Sequence, residues 1–259
     1  MIPPPRPSIL SQHRGTALAA AVVSLIVGLP LDAQSQEGAN CRLRVTVVGR
    51  GGSTEEPRSN MLAIPGAPGR YETHLSGGLV MGRCGDATMT GDSAVHLEHL
   101  AEARMIGSVR YRDSTRVLDA ERVTYYGLSD RVVAEEDVRL ERLQSGATLE
   151  APRVEFFRTP TEGNRTLATG RPHMTLPTGG PRSQPFLVDA DVTEFVGEEE
   201  AFARGNVEIR RPDLDATADS ARFDAAGTGV LYGRPVVRGQ AFTLTGDSVL
   251  ARFADDELR

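Results

Sequence analysis

The chain has 259 residues, 25% of them charged, with a formal net charge of −6. Every basic residue is Arg and none sits in a basic run, so the chain lacks the electrostatic footprint of a protein that binds nucleic acid or an anionic membrane. Trp is absent and aromatics make up only 5% of the residues, which leaves no stacking platform for sugars.

At the N-terminus, Arg6 and Arg14 precede the apolar run "TALAAAVVSLIVGL", and a small residue follows at Ala33. A basic start, a short apolar stretch and a small residue at the cut predict a signal peptide over 1–33. The run is shorter than the roughly 20 residues of a membrane span, and a retained anchor is the rival reading. Export places the two cysteines, Cys41 and Cys84, in an oxidising compartment. A single Cys41–Cys84 disulfide is their expected use, because two cysteines without neighbouring His make a poor metal set. The stretch 49–60 reads as loop.

From Asp92 onward one phrase recurs. Asp92, Glu121, Pro152, Asp191, Asp219 and Asp247 fall at intervals of 29, 31, 39, 28 and 28 residues. Two places after each stand Ala94, Val123, Val154, Thr193, Ala221 and Val249, and four places after each stand His96, Tyr125, Phe156, Phe195, Phe223 and Ala251. Offsets of two and four mark one face of a strand. The residues between them, Val95, Thr124, Glu155, Glu194, Arg222 and Leu250, are mostly polar and form the other face. A second strand follows within each unit, reading "GSVRYR" (107–112), "EDVRLE" (136–141), "GNVEIR" (205–210) and "GRPVVR" (233–238). Within these, Val109 and Tyr111, Val138 and Leu140, and Val207 and Ile209 share faces. "HLEHLAEARM" (96–105) is the nearest approach to a helical stripe, and its surroundings favour strand and turn.

The fold expected is all-β: an elongated, twisted β-jellyroll, that is, a folded antiparallel sheet built from repeated two-strand units. The long third interval and "PTGGPRSQP" separate an N-terminal half (41–176) from a C-terminal half (186–259), with 177–185 as a Pro/Gly-rich loop. The last unit ends on a single strand, open-ended, or left to pair with a neighbour.

The strings "ATADSARFD", "FARGNVEIRR" and "FTLTGDSVLARF", and the Gly-Arg-Pro turns at 170–172 and 233–235, resemble the OstA-like (organic solvent tolerance-like) domain. That domain belongs to the LptA-type periplasmic lipopolysaccharide-transport bridge proteins, and the likeness covers roughly 85–259. The resemblance implies a V-shaped jellyroll with an apolar furrow, and a carrier rather than an enzyme. It implies a periplasmic location and acyl chains of lipopolysaccharide or a similar glycolipid shielded on their way to the outer membrane. It also implies head-to-tail self-association, or association with other bridge components, through open strand edges. The interior candidates for lipid contact are Val123, Tyr125, Val138, Leu140, Val154, Phe156, Phe195, Val207, Ile209, Phe223 and Val236. The competing reading is a structural or adhesive β-solenoid of the cell envelope without ligand.

No catalytic residue, metal or cofactor is expected. His96 and Glu98 share a strand face while His99 points away, so a metal would need ligands from elsewhere. The Asp-Ser pairs at 92, 219 and 247 repeat a dipeptide without the single placed His that a nucleophile requires, and turn chemistry covers all three. "EED" (135–137) and "EEE" (198–200) read as solvated acidic loop tips, without the alternating ligands of a calcium loop. A carbohydrate-active enzyme would need an acid pair on one concave face.

Overall fold

A computed structural model describes residues 44–48, 56–157, 164–177, 184–224 and 228–252. The expected signal peptide and Cys41 lie outside the described residues. All described residues belong to one unit, Glu37–Arg259.

In chain order the strands are β1 (Arg44–Val48), β2 (Arg58–Ala63), β3 (Tyr71–Ser76), β4 (Leu79–Cys84), β5 (Ala87–Gly91), β6 (Ser93–Leu97) and β7 (Glu102–Arg112). There follow β8 (Arg116–Tyr126), β9 (Arg131–Arg142), β10 (Thr148–Phe157), β11 (Thr166–Thr169), β12 (His173–Leu176) and β13 (Phe186–Asp189). The series closes with β14 (Val192–Val196), β15 (Glu200–Arg211), β16 (Leu214–Asp224), β17 (Thr228–Tyr232), β18 (Val236–Gly239), β19 (Thr243–Thr245) and β20 (Ser248–Arg252). Every pairing between them is antiparallel. No α-helix occurs among the described residues; "HLEHLAEARM" is strand, a single 3₁₀ turn at Glu98–Leu100, and strand again. Glu98 therefore does not continue the strand face of His96.

Following the hydrogen bonds sideways yields two sheets that share their long strands. One sheet runs β2-β3-β6-β7-β8-β9-β10-β11-β14-β15-β16-β17-β20. The other runs β1-β4-β5-β7-β8-β9-β10-β12-β13-β15-β16-β18-β19. Strands β7 to β10, β15 and β16 pass from one sheet to the other, and in each of these pairings the register breaks midway. The polypeptide is creased along that line. Because β12 pairs directly with β13, the 177–185 segment joins neighbours, and the strands on either side of it share both sheets.

The repeated phrase marks the crease. Asp92, Glu121, Pro152, Asp191, Asp219 and Asp247 all sit on it. On alternate strands it is crossed by two successive residues with left-handed backbone: Gly107 and Ser108, Glu136 and Asp137, Gly170 and Arg171, Gly205 and Asn206, Gly233 and Arg234. Two such residues in a row turn an extended strand sharply. Glycine leads four of the five pairs for a steric reason as well: a Cβ at Gly205 or Gly233 would strike the Asp191 or Asp219 carboxylate on the next strand. "EED" is thus the mid-strand fold of β9 rather than a loop tip. Asn206 Nδ2 donates to Asp191 Oδ2 at 2.8 Å, fixing one of these folds from the side.

Candidate functional site

Between the sheets the side chains form continuous rows, one residue per strand. In the first sheet one row reads Ala103, Tyr125, Val132, Phe156, Thr166, Phe195, Ala201, Phe223, Gly229 and Ala251. Large and small side chains alternate, so each aromatic ring fills the space beside a small neighbour. The facing row of the second sheet is Met89, Tyr111, Leu118, Leu140, Leu149, Met174, Val188, Ile209, Ala216 and Val237. The two rows meet where the Tyr111 and Phe156 rings lie 4.9 Å apart, and beside them Cys84 Sγ of β4 lies 3.6 Å from the Tyr125 hydroxyl.

Of the interior candidates, Val123, Tyr125, Val138, Leu140, Val154, Phe156, Phe195, Val207, Ile209 and Phe223 are buried between the sheets. Val236 is the exception. It is only half-buried, and Val237 takes the inward place opposite Ala216. In "GRPVVR" the position matching Val207 of "GNVEIR" is Pro235, which is buried, so the inward parity falls on 235 and 237. His96 lies half-buried on the inner row, and burial lowers its pKa against the opposing charge of Glu98.

Two small cavities lie between the sheets among the described residues. A cavity of about 20 Å³ lies among Gly82, Cys84, Met89, Tyr111, Tyr125 and Val132, room for about one water. A second, of about 10 Å³, lies at the mouth of the folded sheet, the edge away from the crease.

That mouth is closed by arginines. Arg116 begins β8 and Arg142 ends β9, directly opposite each other in the second sheet. Both point inward and across. The Arg116 guanidinium lies 5.0 Å from the Phe156 ring centre, and its Nη1 donates to Thr166 Oγ1 at 3.1 Å. The Arg142 guanidinium lies 4.6 Å from the Phe195 ring centre, and its Nη2 donates to the Gly197 carbonyl at 2.7 Å and to Glu198 Oε2 at 2.5 Å. Phe156, Phe195, Thr166 and the 197–198 turn all belong to the first sheet, so these contacts bridge the two. Cation–π stacking and charge-assisted hydrogen bonds strengthen as water is excluded, and the two side chains are only 7% and 9% exposed. Asp113 builds the turn beneath Arg116, accepting from the backbone N–H groups of Thr115 and Arg116 and from the Tyr111 hydroxyl.

Neither Arg116 nor Arg142 stood among the sequence candidates, and a signal for them was present. Arg142 shares strand parity with Val138 and Leu140, and Arg116 with Leu118, so alternation alone turns both inward. Among the described residues no three His, Cys, Asp or Glu side chains come together as a metal site. No family model and no curated protein matches the chain.

Proposed function

We propose that the protein is a periplasmic carrier that shields the acyl chains of a lipopolysaccharide-like glycolipid between the two membranes. The observation that carries this reading is the pair of inward rows, apolar along nearly their whole length and running to both ends of the sheets. At the two ends inward-facing apolar residues become exposed: Met61 on β2 at one end and Leu244 on β19 at the other. The crease holds one edge through the backbone and the mouth is held by side chains, so parting the mouth would open a trough lined by Tyr125, Phe156, Phe195 and Phe223. Each acyl methylene buried there would contribute about 0.8 kcal/mol. Among the described residues β1, β2, β19 and β20 each pair on one side, which leaves edges for further bridge components or a second copy. A Cys41–Cys84 disulfide fits this setting, since β1 pairs with β4 at Arg44↔Arg83, beside Cys84.

The closely packed interior favours a second reading, an envelope β-solenoid without ligand. Native mass spectrometry of the protein purified from its own envelope separates the two. Co-purifying lipid supports the carrier, and photo-crosslinkers at Phe156 or Phe223 should capture it while one at outward-facing Arg222 should not. Equal capture at all three positions would remove the trough.

A further inference from the structure

The two arginines at the mouth do more than a structural clasp needs. Elsewhere on β8 and β9 charged cross-strand partners are of opposite sign, Arg110 opposite Asp119, Arg139 opposite Glu150 and Arg122 opposite Glu135, whereas like charges such as Glu200 and Asp224 are opposed only on other strands. At the mouth Arg116 stands opposite Arg142, both nearly buried, an arrangement that costs stability by like-charge repulsion. Their counter-charges are unequal in kind. Asp113 is committed to the β7–β8 turn through several hydrogen bonds. Glu198 sits on the short turn between β14 and β15, with a side chain 28% exposed. Both cross-sheet bonds of Arg142 leave from the same terminal nitrogen, whereas a guanidinium can present a planar two-donor fork to a phosphate. The small cavity lies among these same groups, lined by Thr115, Arg116, Arg142, Thr166, Gly197 and Glu198.

Building on the carrier reading, we infer that Arg116 and Arg142 form an anion-operated latch that recognises the phosphate of an incoming amphiphile. The phosphate displaces the Glu198 carboxylate from Arg142 and the Thr166 hydroxyl from Arg116. Release of the Gly197–Glu198 turn frees the first sheet at its outer edge and uncovers Phe195 and Phe156 for the acyl chain. Glu198 is the built-in competitor that keeps the unloaded mouth shut.

The test uses the full chain and two probes of equal chain length, a single-chain alkyl phosphate and the matching uncharged alcohol, by calorimetry below their micelle concentrations. The phosphate should bind about tenfold more tightly, the worth of one further charge-assisted hydrogen bond pair. Arg142→Gln and Arg116→Gln should each bring the two probes level. Glu198→Gln, a change on the half-buried β14–β15 turn, removes the competitor and should tighten the phosphate by clearly more than it tightens the alcohol. Equal binding of both probes by the unaltered protein, or no gain in Glu198→Gln, would overturn the latch while leaving the carrier standing. Binding of neither probe would remove the carrier reading and the latch together.

Discussion

The two long edges of the folded sheet are closed in opposite ways. At the crease the closure is covalent: six strands run through it, and pairs of left-handed residues make the bend. At the mouth nothing crosses in the backbone of β8 and β9, and the sheets are joined there by guanidinium groups reaching over aromatic rings. The crease repeats with the sequence, unit after unit; the mouth contacts are concentrated near β8–β11 and the β14–β15 turn. A bend made by the main chain is fixed by the fold, whereas a closure made by side-chain bonds can exchange its partners. The molecule thereby keeps a fixed spine and a releasable edge.

That contrast can be broken at several points. The largest effect is expected from Phe156→Ala, which removes the platform beneath Arg116 and the partner of Tyr111 together. A loss of about 3–5 kcal/mol should appear in denaturant unfolding. Next comes the spine. Gly233→Val places a branched side chain against Asp219 at a left-handed backbone, and about 2–4 kcal/mol should be lost. Arg142→Ala should cost less, about 1–3 kcal/mol, and should raise hydrogen exchange in the 196–200 turn before it does so at the crease. If Gly233→Val instead loosens the mouth first, the division between fixed and releasable edge is wrong.

Smaller effects sharpen the picture. Glu136 is the one crease pair leader that is not glycine, at φ 67°. Glu136→Gly should therefore stabilise, by about 1 kcal/mol in thermal unfolding. Acid should weaken the fold in two stages. His96 has its pKa lowered below 6.5, so its contribution is full above that value and is lost as pH falls through the lowered one. Asp189 follows at lower pH. Burial pushes its carboxyl up, but the hydrogen bond and charge of His173, with Arg210, outweigh it and hold the group below its ordinary value of 3.8. Its contribution is present above that value and is lost as pH falls through the depressed one. Melting temperature followed from neutral to acid pH should show the first drop vanish in His96→Leu and persist in Asp189→Asn.

Strand alternation made the faces legible. The inner row through Tyr125, Phe156, Phe195 and Phe223 and the outer row through Thr124, Glu155, Glu194 and Arg222 both follow from offsets of two and four in the sequence. The crease was legible as a position and not as a shape. Asp92 and Asp191 do open strands, but Glu121, Pro152 and Asp219 lie inside β8, β10 and β16, because a local pattern cannot show that a strand continues through its own break into another sheet; that depends on pairing with residues tens of positions away. Val236 was misplaced because alternation was counted from Val236 rather than from the buried Pro235. The mouth stayed hidden for a different reason: arginine is ordinarily an outward residue, so the parity that turns Arg116 and Arg142 inward gave way to their charge.

One consequence of the crease lies in the way the molecule sets its own length. Each repeat adds two strands to both sheets and brings its own bend, so inserting or deleting a block such as 191–218 leaves every neighbouring bend intact. Strands lie about 4.8 Å apart, so one block changes the span by about 10 Å. Gain or loss of such blocks would then set the length of the folded sheet in fixed steps without disturbing its bends.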